Sequence, residues 1–409
     1  MNNNNQPLLL NKNTLFKTIE IVAYLLLFLV FTRIIEQFFI NGPDFTRHMN
    51  NAYKYMAGDF YIPHPAYHII TYYLAKFTTI PYQYIVPVFV AAIIVFTMFL
   101  TKIILAHLCP ANNNPMLYLF FAIVVNLVIA IYIPMDYHGY ITGPENPNIW
   151  RRPDRVFILG TGSPNMWASP TMNLLRPFAI LGFLGVAFLI RKDQKPTREI
   201  AALTSLVLLI STWVKPSFII CLLPAAGLFL LLFRLKDRRL FFTMLWVFLP
   251  SVLLLIYQYT ETYLMKDTSS YFHDKIVFSW FGVARIYTKS VFISTLRVLA
   301  FPLLVLVFSY KNIKQNTSLL LSWLLLIISF ILYGVVAEQN KFEQGAFCFS
   351  FYVCLFILFV FSLGEYLQWF SALKKNKVKI SVAGFVLLCH LVSGIVYLQG
   401  VLFDGRLWR

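Results

Sequence analysis

Asp44, Arg47, His48, Asp59, His64 and His68 fall within one short polar stretch. A carboxylate there can take a proton from an attacking hydroxyl, and an imidazole can pass one near neutral pH. The stretch reads Gly42-Pro43-Asp44-Phe45-Thr46-Arg47-His48, then Gly58-Asp59-Phe60-Tyr61-Ile62-Pro63-His64-Pro65-Ala66-Tyr67-His68. The pattern from Phe45 to Met56 predicts a short helix at a membrane interface, with Asp44 as its N-cap. His48, four residues after Asp44, would share its helical face. The plain account of Asp44 is then capping, and of His64 and His68 interfacial hydrogen bonding. The sharper account is acid–base chemistry, with a divalent metal on Asp44 and the histidines as a further option.

Four cations elsewhere suit an anionic ligand. Arg152 lies in Arg151-Arg152-Pro153-Asp154-Arg155, and Arg176 precedes Pro177 at the start of an apolar run. Lys215 precedes Pro216 inside another run, and Lys341 lies in Glu338-Gln339-Asn340-Lys341-Phe342-Glu343. Arginine grips phosphate with two parallel hydrogen bonds, whereas lysine acts as a point charge. Each also has a structural alternative: anchoring at an interface, snorkelling, or pairing with a neighbour such as Asp154.

The elements that must hold these residues are apolar. The 409 residues are 59% hydrophobic and 12% charged, with a mean hydropathy of +0.69. A soluble domain carries about 25% charge, so lipid is the expected main solvent. Spans of about 20 apolar residues are expected near 19–40, 82–106, 116–134, 176–190, 200–214, 217–233, 241–259, 290–309, 318–337, 346–368 and 380–400. The fold class is thus all-α: one polytopic transmembrane domain over 1–409, with about eleven spans. Lys215–Pro216 interrupts 200–233, so that region reads as two short spans or one broken helix pair.

Short basic loops set the orientation. Arg191, Lys192, Lys195 and Arg198 form one cluster, and Arg234, Lys236, Arg238 and Arg239 the next. Lys311 and Lys314, then Lys374, Lys375, Lys377 and Lys379, complete the set. With a cytoplasmic N-terminus, all four clusters fall on the cytoplasmic side. The longer loops 41–81, 135–175 and 260–289, with 338–345, then lie outside. They hold ten of the chain's 17 acids. The net charge of +17 is accounted for by span flanks, so no nucleic-acid partner is implied. The run Ile19–Ile40 reads as a retained first span. His390, inside the last span, is expected to be packed and hydrogen-bonded.

Some chemistries lose support. The chain has no GxxxxGK[ST], GxGxxG, HExxH or GxSxG, which disfavours nucleotide-driven transport, a soluble Rossmann domain and serine hydrolysis. Cys109, Cys221, Cys348, Cys354 and Cys389 show neither CxxC nor metal-ligand spacing.

The Asp44 loop carries a resemblance. An acid just after the first span, an amphipathic helix, Gly-Asp-Phe and a Pro-His-Pro turn before the second span resemble the first outer loop of GT-C glycosyltransferases. The run from Trp167 to Phe178, with Pro170-Thr171 and Arg176-Pro177-Phe178, and the 338–347 segment loosely resemble elements of uncharacterised bacterial GT-C-like membrane proteins. Ser169 stands where that pattern has Asn, and Lys341, Gln344 and Ala346 replace other residues of it. The resemblance implies a polyprenyl-phosphate-linked sugar donor and a lipid-linked or cell-envelope glycan acceptor. It implies Asp44 as catalytic base, with Arg47, His48, Asp59, His64, His68, Arg152, Arg176, Lys215 and Lys341 about the substrates. The expected location is a bacterial cytoplasmic (inner) membrane, with the active site on the non-cytoplasmic face. Two other functions compete: a polysaccharide polymerase or O-antigen-ligase-like enzyme, and a non-enzymatic lipid-glycan flippase or transporter.

Overall fold

A computed structural model describes residues 12–110, 114–132, 162–191, 197–264, 275–288, 290–339, 345 and 347–404. The chain is all-α apart from one small ribbon. The first half holds α1 (Lys12–Asn41), α2 (Pro43–Ala57), α3 (Ala66–Thr78), α4 (Tyr82–Leu108), α5 (Pro115–Leu127), α6 (Pro170–Leu189) and α7 (Arg198–Val214). Then come α8 (Ile219–Phe233), α9 (Arg238–Tyr259), β1 (Ile276–Phe278), α10 (Gly282–Tyr287), α11 (Val291–Ser309), α12 (Thr317–Val335) and β2 (Val336–Glu338). The described chain ends with α13 (Cys348–Gln368) and α14 (Leu373–Asp404). β1 and β2 pair antiparallel, with Val277 opposite Ala337.

Helix stands at each stretch expected to span. Seven helical segments among the described residues are long and apolar enough to cross a membrane, one of them running from Cys348 to Phe403. The protein is therefore an integral membrane protein by length and composition. α5 and α8 are shorter apolar helices, and α7 has 17 residues.

At the centre is α13, with 18 of its 21 residues buried. A helix apolar on every face belongs in the interior, and α13 packs against α4, α5, α6, α8, α11 and α12. It runs parallel to α6. The Arg176 guanidinium carbon lies 4.9 Å from the Phe356 ring centre near their starts, and the Phe183 and Phe361 rings lie 4.7 Å apart further along.

Two segments depart from expectation. The run expected to span to 134 is helical only to Leu127, and Val128 turns extended. Extended backbone at membrane depth must find partners within the protein, and this stretch does. Asn165 Nδ2 donates to the Val125 and Val128 carbonyls at 2.9 and 2.7 Å. His390 Nδ1 donates to the Ile129 carbonyl at 2.6 Å, and Ser393 Oγ accepts from the Tyr132 amide at 3.0 Å. Gly394 allows the approach, because a Cβ there would run into the Leu127 carbonyl. The second departure lies at 162–175, expected in an outer loop. Residues 162–169 thread the interior, with Ser163, Asn165 and Trp167 buried, and α6 begins at Pro170. Gly162 sits at φ +79, where a side chain would also meet the Phe351 ring.

The two ends of the bundle differ. At one end, Gln368 Nε2 donates to the Leu108 carbonyl and Lys379 Nζ to the Phe308 carbonyl. Glu365 accepts from Ser309 Oγ and Asn316 Nδ2, and Arg234 Nη1 donates to the Ile190 carbonyl. The basic clusters that lie among the described residues flank these helix ends. The polar Asp44 segment lies at the other.

Candidate functional site

α2 and α3 join the end of α1 to the start of α4 and pack on each other. Pro43 is the first residue of α2, and Gly42, not Asp44, is its N-cap, with no side-chain capping bond. The expected cap is therefore corrected: Asp44 stands one residue inside the first turn, where its charge suits the helix dipole. α2 ends at Gly58, whose φ of 81 is left-handed. There the Gly58 and Asp59 amides close the turn on the Tyr55 and Lys54 carbonyls at 3.1 and 2.9 Å. The carboxylate of Asp44 makes no hydrogen bond or ion pair among the described residues, so capping does not explain it.

His48 and His68 face each other across α2 and α3. His48 Nδ1 lies 2.9 Å from His68 Nε2, and their ring centres are 5.0 Å apart. His68 is 2% exposed, and its Nδ1 is buried without a partner among the described residues. His64, in the turn before α3, is half-buried and near enough to Lys215 and His68 to feel both.

Lys215 comes from far along the chain. α7 and α8 form a helical hairpin whose tip is 215–218. Lys215 ends α7 in an extended conformation, because the residue before proline is driven out of helix. Its Nζ donates to Thr171 Oγ1 at 3.3 Å and lies 3.7 Å from the Phe349 ring centre, a cation–π distance. Thr171 opens α6 and Phe349 opens α13, so three parts of the chain meet at this ammonium. No carboxylate forms an ion pair with it among the described residues, although Asp44 is within electrostatic reach.

These surroundings set the charges. Withdrawal from water pushes His64 down to about 3, with Lys215 and then His68 adding to it. The same cause, then Lys215, takes His68 to about 4. Burial, then His68, Lys215, His64 and Arg47, holds His48 well below the usual imidazole range. Burial lowers Lys215 to about 8, and Asp44 opposes that. At neutral pH the site thus has three neutral imidazoles and one softened ammonium, with Asp44 in electrostatic reach of the latter. Such a set can bind an oxyanion and accept a proton from a hydroxyl.

The remaining candidates scatter. Arg176 is 2% exposed. Its Nη2 donates to the Pro164 carbonyl at 2.8 Å, and its Nη1 is buried without a partner among the described residues. It lies below Thr171 on α6, deeper than the interfacial position expected. Arg47 and Asp59 are exposed on and after α2. Arg152 and Lys341 lie outside the described residues. Among the described residues no group of three or more His, Cys, Asp or Glu side chains could hold a metal ion. Thr171 and Phe349 had no assigned role in the sequence, and only the Pro-Thr pair at 170–171 marked one of them. No protein-family model matches the chain, and neither a curated protein nor a solved structure matches it.

Proposed function

We propose that this protein is a membrane glycosyltransferase of GT-C type. It moves a sugar from a polyprenyl-phosphate-linked donor to a lipid-linked or cell-envelope glycan acceptor at the non-cytoplasmic face. About eleven spans with a cytoplasmic N-terminus place α2 and α3 on that face. The observation that carries the reading is the Asp44 carboxylate, in no ion pair among the described residues, within electrostatic reach of the Lys215 ammonium at one end of an apolar helix bundle. The likeness of the 42–68 loop to the GT-C first outer loop supports it from the sequence side.

In this mechanism the acceptor oxygen attacks the anomeric carbon, and a new glycosidic C–O bond forms. The bond from that carbon to the phosphate oxygen breaks, and polyprenyl phosphate leaves. Asp44 takes the acceptor's hydroxyl proton. Lys215 faces the charge developing on the departing phosphate oxygen. The lipid chain keeps the donor in the bilayer, which is why a site at the membrane boundary fits.

The test is a transfer assay with purified protein, polyprenyl-phosphate sugars and membrane glycan acceptors. Asp44→Asn is expected to keep expression and elution profile and to lose transfer. A fully active Asp44→Asn protein ends the assignment of Asp44. Lipid flipping without any glycosyl product ends the enzyme reading.

A further inference from the structure

At its candidate site the molecule gathers more groups that can become positive than groups that can balance them. Asp44, Arg47 and His48 come from α2, His64 from the following turn, His68 from α3 and Lys215 from the tip of the α7–α8 hairpin. α6 adds the buried Arg176, which the Pro164 carbonyl holds. α4 adds only the Tyr82 hydroxyl, bonded to Thr71, and α7 carries its other charges, Arg198 and Glu199, at its opposite end. Among these described groups Asp44 is the one carboxylate, and it lies within electrostatic reach of Lys215.

The imidazole pair is built to take up a proton. Two neutral rings joined at 2.9 Å share a single N–H between those nitrogens. With the shared hydrogen on His68 Nε2, a proton added to the pair makes His68 Nδ1 a donor, and that nitrogen is buried without a partner among the described residues. In the absence of an anion, burial and then Lys215 keep His68 at about 4. A single negative charge within about 4–6 Å favours the charged form of such a group by one to three pKa units.

We infer that anion binding at this site is proton-coupled: an oxyanion seated against Lys215 brings one proton from solvent onto the His48–His64–His68 cluster. This rests on the glycosyltransferase reading only for the source of the anion, a lipid-borne phosphodiester. A phosphodiester keeps a single charge throughout the neutral range, so any pH dependence of its binding belongs to the protein.

The test is isothermal titration calorimetry of the full chain in nanodiscs with dihexyl phosphate, and separately with sulfate as a free oxyanion. Titrations at two pH values one unit apart near neutrality use two buffers of different ionisation enthalpy. Dihexyl phosphate is expected to bind more tightly at the lower pH, by up to about fivefold and within the tenfold limit for one coupled proton, with net proton uptake in both buffers. His64→Gln and His68→Gln should flatten that dependence, while Lys54→Gln, exposed on α2, should leave it intact. If His68→Gln does not fold, as judged by elution, wild type and His64→Gln decide. Binding without pH dependence or proton uptake overturns the coupling and leaves the phosphodiester reading standing. Absence of binding by either probe at both pH values overturns that reading too. Sulfate binding as strong as dihexyl phosphate overturns the lipid-borne source.

Discussion

His390 and His68 are both buried histidines, and they are treated oppositely. His390 uses both ring nitrogens: Nδ1 donates to the Ile129 carbonyl, and Nε2 accepts from the Phe301 amide at 3.4 Å. Its ring meets Phe359 edge-on at 5.2 Å. His68 shares one nitrogen with another imidazole and leaves the other without a partner among the described residues. The contrast extends to the two ends of the bundle. Around Glu365, Arg234 and Lys379 the polar groups find carbonyls, hydroxyls or counter-charges. Around Asp44 and Lys215 no ion pair forms among the described residues: Lys215 reaches the Thr171 hydroxyl and the Phe349 ring, and Asp44 makes no hydrogen bond. A half-buried charge without a counter-ion costs stability, so its persistence points to a ligand, whereas a satisfied one needs no such account.

The widest separation of the two regions is expected from Lys215→Met. An apolar chain of similar length fills the space beside Phe349 and Thr171 and removes an uncompensated charge. Transfer should fall by about a hundredfold or more, the scale of losing one charge-stabilising group. Thermal stability should hold or rise. A variant that loses activity and stability together would place Lys215 with the structural cations.

His390→Phe should behave in the opposite way. It orphans the Ile129 carbonyl and the Phe301 amide in the interior, at a cost of roughly 1–3 kcal/mol per buried group. Chemical denaturation should show that loss, with kcat per folded molecule unchanged. Glu365→Ala should cost less, about 1–2 kcal/mol, because it strands Ser309 and Asn316 near the bundle end, where water can reach them. A large drop in kcat for Glu365→Ala would break the distinction between the two ends.

How much of this could be read in the sequence follows the same divide. The apolar runs mark the helices because each buries its own residues or turns them to lipid. The Asp44–His68 stretch stands out because its polar groups are close in sequence. The extended 128–132 stretch was not legible: a short apolar run looks the same as helix or strand. What decides it is distant, namely Asn165, His390, Ser393 and the missing side chain at Gly394. The same holds for 162–169, which reads as a polar loop but is buried because Asn165 closes the end of α5 and Trp167 stacks on Tyr397 at 5.5 Å. Asp44 was legible as a residue of interest but misplaced as a cap, since α2 starts at Pro43, two residues sooner. Lys215 was marked by its proline, yet nothing local places it against Thr171, Phe349 and the histidines.

The smallest effect expected is also the most diagnostic for Lys215. Its pKa in the folded chain is about 8, below the ordinary lysine value, so between about 8 and 10.4 the unfolded chain binds more protons. Stability therefore rises with pH through that window and is lost as pH falls back through about 8. Anion binding follows the opposite course, since the ammonium discharges as pH rises past 8. The alkaline limb of kcat/KM should fall with an apparent pKa near 8 while thermal stability climbs. Lys215→Arg keeps its charge across the whole range and should move that limb upward by several-fold in rate at pH 9. A limb unmoved by arginine would assign the alkaline transition to another group and return Lys215 to the structural side of the comparison.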